Sequence, residues 1–202
     1  NRVGNEPAYV AQNLEFIAAR PLITLNLMTS KFEYEAASLY RYNEVNLAVR
    51  YVEFGNEFYL GNEQYKEAFP SVDDYSIAAE GWAMALKSIP APGMSNLKIA
   101  CVGSKQSENG PGRQRLWLDK LLNNLPPNHH LDAITIHDYT FEGTTNCPGT
   151  SVPNAMQEQF LTIPFNERDE LKTGAISTIQ NYNLGHSHPF EIWVTEFNLD
   201  DG

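Results

Sequence analysis

The chain has 202 residues, a formal net charge of −11 at pH 7 and 42% hydrophobic residues, a composition that predicts a globular protein with a sizeable core. The acidic balance argues against nucleic-acid binding, which needs clustered Lys and Arg. No apolar run reaches the roughly 18 residues of a membrane-spanning helix, so we expect no membrane partner. The charge fits a neutral or weakly charged partner such as a polysaccharide.

Helix-like and strand-like segments alternate along the chain, and each of five strands follows a helix. In chain order, helices are predicted over 7–19, 34–42, 73–89, 113–125 and 167–182. Strands are predicted over 21–28, 49–55, 98–103, 131–139 and 190–198. The helix over 73–89 has the clearest pattern, because its apolar residues recur near a period of 3.6. This alternation predicts a parallel sheet covered by helices.

Two architectures share this alternation: an open doubly wound sheet and a (β/α)8 barrel. The nucleotide-binding open sheet usually has a Gly-rich turn after its first strand, and the chain contains neither G-x-G-x-x-G nor G-x-x-x-x-G-K-[ST]. Polar residues instead cluster at the C-terminal ends of several strands, as is typical of barrels. They are Asn26, Asn56, Glu57, Ser104, His137, Tyr139, Glu196 and Asn198. We therefore predict an α/β fold of the TIM (β/α)8 barrel type.

The number of strands predicts an incomplete barrel. A complete one takes about 250 residues and eight strands, whereas this chain offers five strands in one domain over 1–202. We expect it to cover the third to seventh strands and to lack the first two and the last. Such a piece leaves unpaired sheet edges, so we expect further strands or domains in a longer parent chain.

Two glutamates stand near the C-terminal ends of strand-like runs. Glu57 follows the run that begins at Val49, and Glu196 lies near the end of the run that begins at Phe190. In a parallel barrel that end carries the chemistry. Two carboxylates facing one sugar are the minimum apparatus for cleaving a glycosidic bond. The pair predicts glycoside hydrolysis.

These segments resemble glycoside hydrolase clan A. The segment 54–57 (Phe-Gly-Asn-Glu) is similar to the clan's strand-four signature, and 195–198 (Thr-Glu-Phe-Asn) is similar to its strand-seven nucleophile segment. The segment 136–139 (Ile-His-Asp-Tyr) looks like the strand-six segment. Together with the run 21–26, the order looks most like the α-L-arabinofuranosidase and heparanase/β-glucuronidase branches. The resemblance extends over about residues 10–200.

The resemblance implies a role for each matching residue. Glu57 would be the general acid/base and Glu196 the nucleophile of a retaining mechanism, with no cofactor and no metal ion. The residues expected to bind substrate, from the resemblance or from their place at a strand end, are Asn26, Asn56, His137, Tyr139 and Asn198. The clan's arginine on the second strand and its aromatic on the eighth have no counterpart, because those strands are absent.

Elementary electrostatics adds expectations about the neighbours of this pair. Once Glu196 is charged, ionising a nearby Glu57 is unfavourable, so we expect a raised pKa for Glu57. Glu53 shares the strand parity of Glu57, and we expect a deeper, structural and paired carboxylate. Phe58 and Tyr59 would either stack on a sugar ring or pack within their loop.

Three functions remain open at this stage. The first is a retaining glycosidase acting on a polysaccharide or oligosaccharide, secreted or periplasmic because its substrate is polymeric. The second is a non-catalytic carbohydrate-binding partial barrel that is inactive without the missing strands. The third is a metal-dependent hydrolase on the same fold. We expect no shared metal site for His129, His130 and His137, because the first two precede the strand that ends near His137.

Overall fold

The computed structural model of the protein describes residues 7–16, 20–47, 49–91, 93–105, 112–139 and 172–198. The α-helices in these ranges are α1 (Pro7–Phe16), α2 (Phe32–Glu44), α3 (Glu63–Ala68), α4 (Val72–Lys87), α5 (Gly112–Asn124) and α6 (Ser177–Leu184). The strands are β1 (Leu22–Leu25), β2 (Tyr51–Phe54), β3 (Lys98–Val102), β4 (Ala133–Tyr139) and β5 (Glu191–Asn198). None of the helices in the described ranges is both long and apolar enough to cross a membrane.

All five strands form one parallel sheet in the order β1-β2-β3-β4-β5. Spatial order therefore equals chain order, without the reversal that a doubly wound sheet contains. The sheet curls into a half-barrel. The α/β class and the parallel sheet predicted from the alternation are confirmed.

The observed elements differ from the predicted ones mainly at their ends. β1 and β2 have only four residues each, and the register between them covers Leu22–Leu25 and Tyr51–Phe54. The described part of the last predicted helix begins with a helical segment, Lys172–Ile176, that kinks at Gly174 (φ −93°, ψ −106°) before α6. A 3-10 helix at Phe58–Leu60 and helix α3 were not predicted.

The hydrophobic core lies between the outer face of the sheet and the helices. Val52, Phe54 and Ile99 are fully buried on that face. α4 contributes the opposing layer; it begins with a capping box in which Ser71 and Asp74 bond each other's backbone. The buried residues of α4 and α5 are Val72, Tyr75, Ser76, Ala79, Ala83, Leu86, Trp117, Leu118, Leu121 and Leu122.

Two buried aromatic side chains tie the helices to the C-terminal ends of the strands. The hydroxyl of Tyr75 donates to the carbonyl of Phe54 (2.9 Å) and accepts from the amide of Val102 (2.7 Å). The indole N–H of Trp117 donates to the carbonyl of Val102 (2.8 Å). Because backbone polar groups must be paired when buried, these bonds satisfy β2 and β3 where the strands stop pairing with each other. They also fix the positions at which the loops after β2 and β3 begin.

The inner face of the curled sheet, called the concave face below, carries alternate residues of each strand. On it Tyr51 of β2 contacts Trp193 of β5 edge to face, with ring centroids 5.4 Å apart. Lys98 of β3 forms an ion pair with Glu191 of β5. Contacts between strands that are not neighbours require curvature, so they place β2, β3 and β5 around one hollow. The C-terminal rim of that hollow is where the predicted glutamates lie.

Candidate functional site

Glu57 lies in a strained turn directly after β2. Its φ is +48°, in the left-handed region that non-glycine residues seldom adopt. The turn begins at Gly55, whose φ is +95° and where an added Cβ would lie 2.0 Å from the Phe58 ring. Only glycine fits both conditions. Strain at a position of this kind is held by the surrounding structure and often accompanies function.

The loop after Glu57 is held from the outside by Arg113 of α5. The guanidinium donates to three carbonyls: those of Phe58 (3.1 Å), Phe69 (2.8 Å) and Pro70 (3.0 Å). It also lies over the Trp117 ring at 4.8 Å. A fork of fixed donors of this kind orients a loop more rigidly than a single contact. Arg113 therefore fixes the backbone that carries Glu57.

Phe58 and Tyr59 are buried, at 3% and 5% exposure. The ring of Phe58 packs against Tyr65, Phe69 and Tyr75 at centroid distances of 4.9–5.4 Å. Of the two alternatives, packing within the loop is the one observed. The hydroxyl of Tyr59 donates to Glu57 Oε1 (3.0 Å), so Tyr59 also orients the carboxylate.

Glu196 reaches the same rim through a β-bulge in β5. Ile136 of β4 pairs with Val194, but the next residue, His137, pairs with Glu196, so Thr195 is an extra residue on β5. Side chains alternate between faces along a strand, so in a regular strand of the same sequence, with no bulge, Glu196 would face away from Glu191 and Trp193. The bulge rotates Glu196 onto the concave face, a use of bulges that recurs near functional sites.

His137 of β4 lies between the two glutamates. Its Nδ1 is 3.1 Å from Glu57 Oε1 and 3.5 Å from Glu196 Oε2. The His137 side chain is only 1% exposed, whereas those of Glu57 and Glu196 are 18% and 43% exposed. One ligand atom from each of the three side chains lies within 4.8 Å of the others. The two glutamates predicted from the sequence therefore share one site, and His137 joins them.

Glu53 of β2 lies at the bottom of this site, four residues before Glu57 in the sequence. Its side chain is 4% exposed, and Oε1 lies 3.6 Å from His137 Nε2. The distance fits an ion pair but is longer than a hydrogen bond, and Nε2 has no hydrogen-bond partner. The hydroxyl of Thr195, the bulge residue, lies 3.4 Å from the same oxygen. The prediction of a buried, paired carboxylate at Glu53 is confirmed.

The three carboxylates decide the charge of His137. Burial is the largest single effect and favours the neutral ring, but Glu53, Glu57 and Glu196 outweigh it and raise the pKa of His137 to about 9. His137 therefore carries its proton at neutral pH. Protonated His137 is therefore a cation with three carboxylates as neighbours.

The pKa of Glu57 moves in the opposite direction from the expectation. The hydrogen bond from His137 is the largest effect and lowers the pKa of Glu57, burial raises it, and the bond from Tyr59 lowers it again. The predicted rise was wrong because it considered Glu196 alone and omitted the imidazolium between the two carboxylates. In the unliganded site Glu57 is ionised.

The other predicted site residues stand at the same rim with less defined roles. Asn56 is half-buried in the turn beside Glu57. Asn26 follows β1 and is exposed; its Oδ1 accepts from the amides of Met28 (3.1 Å) and Thr29 (3.0 Å). That pattern is a turn-stabilising one. Tyr139 and Asn198 pair in the backbone register of β4 and β5, but their side chains lie outside the described residues.

Sequence reasoning missed three residues that shape the site: Tyr59, Arg113 and Thr195. Tyr59 was considered only for stacking or packing, and its spacing of two from Glu57 was the available signal. Arg113 bonds the carbonyl of Phe58, which is 55 residues away in the sequence, and no local sequence pattern predicts that contact. Thr195 acts by shifting the register of β5, which a composition of β-branched and aromatic residues does not reveal.

The other histidines lie elsewhere. His129 and His130 precede β4, and His130 Nδ1 lies 2.7 Å from Glu80 Oε1 of α4. His129 stacks on Phe190 with ring centroids 4.2 Å apart. Within the described ranges, the one group of three metal-ligating side chains is that of Glu57, His137 and Glu196. The expectation that His129 and His130 share no metal site with His137 agrees with these positions.

The arrangement can do two kinds of chemistry. It can place two carboxylates on opposite sides of one small group while a buried imidazolium holds a proton between them, or it can supply one nitrogen and two oxygen ligands to a cation. The chain matches no protein-family model, and no curated protein matches it. Conclusions about activity therefore follow from the geometry of the site.

Proposed function

We propose that the protein is a retaining glycoside hydrolase whose catalytic pair is Glu57 and Glu196, on a sheet that forms part of a TIM (β/α)8 barrel. The observation that carries the proposal is that one oxygen of Glu57 and one oxygen of Glu196 lie within 4.8 Å of each other at the C-terminal rim of the concave face. Retaining glycosidases have carboxyl groups about 5 Å apart, and inverting ones roughly 6.5–9.5 Å. The separation therefore favours retention.

In this mechanism Glu196 attacks the anomeric carbon while Glu57 gives its proton to the departing glycosidic oxygen. The product is a glycosyl ester on Glu196 and a free leaving group. A water molecule then attacks the ester, and Glu57 takes its proton as a base. The greater exposure of Glu196, 43% against 18% for Glu57, suits a nucleophile that must contact the sugar ring.

His137 supplies the proton that Glu57 lacks in the unliganded site. Its Nδ1–H lies 3.1 Å from Glu57 Oε1, within direct transfer distance. Burial already acts to raise the pKa of Glu57, and a bound sugar that excludes water strengthens that effect. The proton then moves from Nδ1 to Oε1 when the substrate is in place. The result is a protonated acid, a neutral imidazole and an ionised Glu196.

One observation favours the second candidate, a carbohydrate-binding partial barrel without activity. Protonated His137 bonds Glu57 and holds its pKa low, and a site with two ionised glutamates has no general acid. If the proton does not move from His137 when a sugar binds, the hollow still offers carboxylates to sugar hydroxyls. The two candidates differ in turnover, not in binding.

The test is a panel of aryl glycosides that includes α-L-arabinofuranosides and β-glucuronides, incubated with the protein and followed by proton NMR. The proposal predicts hydrolysis of at least one member with the first-formed sugar in the anomeric configuration of the substrate. Release of the inverted anomer would reject the retaining mechanism. Saturable sugar binding without hydrolysis would establish the second candidate.

Azide separates the roles of the two glutamates. With Glu57→Gln and an activated aryl leaving group, azide replaces water in the second step and yields a glycosyl azide of retained configuration. With a small residue in place of Glu196, azide attacks the substrate directly and yields the inverted azide. The reverse pattern would exchange the assigned roles, and formation of neither product would reject the pair.

A further inference from the structure

We propose that Glu57, His137 and Glu196 bind a divalent transition-metal ion such as Zn²⁺, with Glu53 as the carboxylate that orients the histidine. Metal binding itself does not depend on the proposed function. Its consequence does: a metal held by both glutamates would inhibit hydrolysis, and that part of the inference rests on the proposed glycosidase activity.

The spacing of the ligand atoms fits one ion. Zn²⁺ bonds to imidazole nitrogen and carboxylate oxygen are about 2.0–2.2 Å, so two ligands at a tetrahedral angle lie roughly 3.3 Å apart. The distances from His137 Nδ1 are 3.1 Å to Glu57 Oε1 and 3.5 Å to Glu196 Oε2, on either side of that value. The two glutamate oxygens lie within 4.8 Å of each other. Closing the remaining gap requires a shift of the Glu196 side chain, which is 43% exposed.

The donor set also suits a transition metal. One imidazole with two carboxylates is a mixed nitrogen and oxygen set that favours Zn²⁺ and its neighbours over Ca²⁺ or Mg²⁺, which take oxygen ligands. Three protein ligands leave a fourth position open for water. The proton that His137 carries on Nδ1 is released to solvent when the ion binds. Glu57 and Glu196 together bring two negative charges to one cation.

His137 is the observation that separates this site from an ordinary acidic cluster. Its side chain is 99% buried, its Nδ1 faces both glutamates, and its Nε2 has no hydrogen-bond partner. Glu53 Oε1 lies 3.6 Å from Nε2. Histidines that bind a metal through one nitrogen commonly donate from the other to a carboxylate, which fixes the tautomer. Glu53 stands where that carboxylate is needed, and Thr195 contacts it from β5.

The experiment is a calorimetric titration of the chelator-treated protein with ZnCl2, together with the visible absorption of the Co²⁺ form. We expect one saturable site and the intense d–d bands of a four-coordinate cobalt ion. His137→Gln should abolish both signals, and Glu53→Gln should weaken Zn²⁺ binding about 10- to 100-fold. The matched control is His130→Gln, which removes a histidine–glutamate pair far from the site and should bind as the wild type does.

Thermal unfolding of each variant is first measured in the presence of chelator, to show that the variant folds. If His137→Gln does not fold, Glu196→Gln replaces it, because the Glu196 side chain is 43% exposed and glutamine keeps its size. Absence of saturable binding by the wild type, or wild-type binding by either variant in its folded state, would overturn the inference.

Hydrolysis of an aryl glycoside in the same titration separates this inference from the proposed function. Inhibition at the concentration of Zn²⁺ that fills the calorimetric site supports both. Hydrolysis with no Zn²⁺ binding overturns the metal site and leaves the glycosidase standing. Zn²⁺ binding to the three residues with unchanged hydrolysis supports the metal site and contradicts catalysis by Glu57 and Glu196.

Discussion

His137 and His129 are both buried histidines at opposite ends of β4, and their environments drive their charge in opposite directions. Three carboxylates surround His137 and raise its pKa to about 9 despite burial. His129 stacks on Phe190, and burial followed by the nearby His188 lowers its pKa. At neutral pH the first is a cation and the second is neutral. Burial alone therefore does not decide the charge of a histidine; its partners do.

The contrast also separates the two ends of the sheet. The N-terminal end of β4 uses its histidines for packing and for a pair with Glu80. The C-terminal end gathers a cation and three carboxylates in a hollow that is open at its rim. Strong charge coupling next to accessible carboxylates is typical of functional sites, whereas a stacked neutral histidine is typical of a core. Four predictions test the contrast, from the largest expected effect to the smallest.

Removing either glutamate of the pair should have the largest effect. If the proposed hydrolysis occurs, Glu57→Gln should lower kcat/KM by roughly 10²–10⁴-fold, the usual contribution of a general acid, and Glu196→Gln should leave no measurable turnover of unactivated substrates. The control is Glu80→Gln, which removes a histidine-paired carboxylate from the other end of the sheet. Rates within twofold of the wild type for the first two variants would refute the assignment.

The charge of His137 should appear in the pH dependence of stability. The pKa of His137 in the folded protein is about 9, above the ordinary value of 6.5. Its contribution to the free energy of unfolding is therefore complete below pH 6.5 and is lost as the pH rises through 9. The loss is at most ~3 kcal/mol. Urea unfolding between pH 6 and 10 in the presence of chelator measures it.

His137→Gln should remove that alkaline decline, because the variant has no titrating ring between the carboxylates. His130→Gln, whose ring is 40% exposed, should retain the decline. A wild-type slope in the His137 variant would place the titrating group elsewhere.

Tyr75→Phe should destabilise the end of the sheet that carries the site. The hydroxyl bonds both Phe54 and Val102 in the core, and its loss leaves a buried carbonyl and a buried amide unpaired, at a cost of about 1–3 kcal/mol. Chemical denaturation measures the change in the free energy of unfolding. Tyr34→Phe, on a side chain 66% exposed, is the matched control and should change it by less than about 0.5 kcal/mol.

His129 should give the smallest effect, with the opposite sign from His137. Burial and His188 lower its pKa below the ordinary 6.5, so the unfolded chain binds the proton more tightly and stability falls as the pH drops below 6.5. His129→Gln should flatten the slope of stability between pH 5 and 6.5. An unchanged slope there would show that His129 does not remain neutral in the folded protein.

Much of the fold could be predicted because it depends on local patterns. The helix α4 has apolar residues at helical spacing and a polar start at Ser71, and the strands β3 and β4 have apolar runs of strand length. Parallel strands that alternate with helices place their C-terminal ends at one edge of the sheet. This rule alone predicts that Glu57, His137 and Glu196 lie near one another.

The finer features of the site depend on register and on distant contacts. The bulge at Thr195 shifts β5 by one residue and reverses the face of Glu196, and a single inserted residue leaves no signature in composition. The pKa of Glu57 depends on where β4 places His137, 80 residues away in sequence. Predicting its direction from Glu196 alone failed for that reason.

The most direct test of the central claim is covalent trapping with 2-deoxy-2-fluoro glycosides that carry good leaving groups, followed by peptide mass spectrometry. The fluorine slows both steps and the leaving group restores the first, so the glycosyl ester accumulates on the nucleophile. We expect one sugar per chain, on the peptide that contains Glu196, and no label on Glu196→Gln. A label on Glu57, or no label from any sugar that the protein hydrolyses, would contradict it.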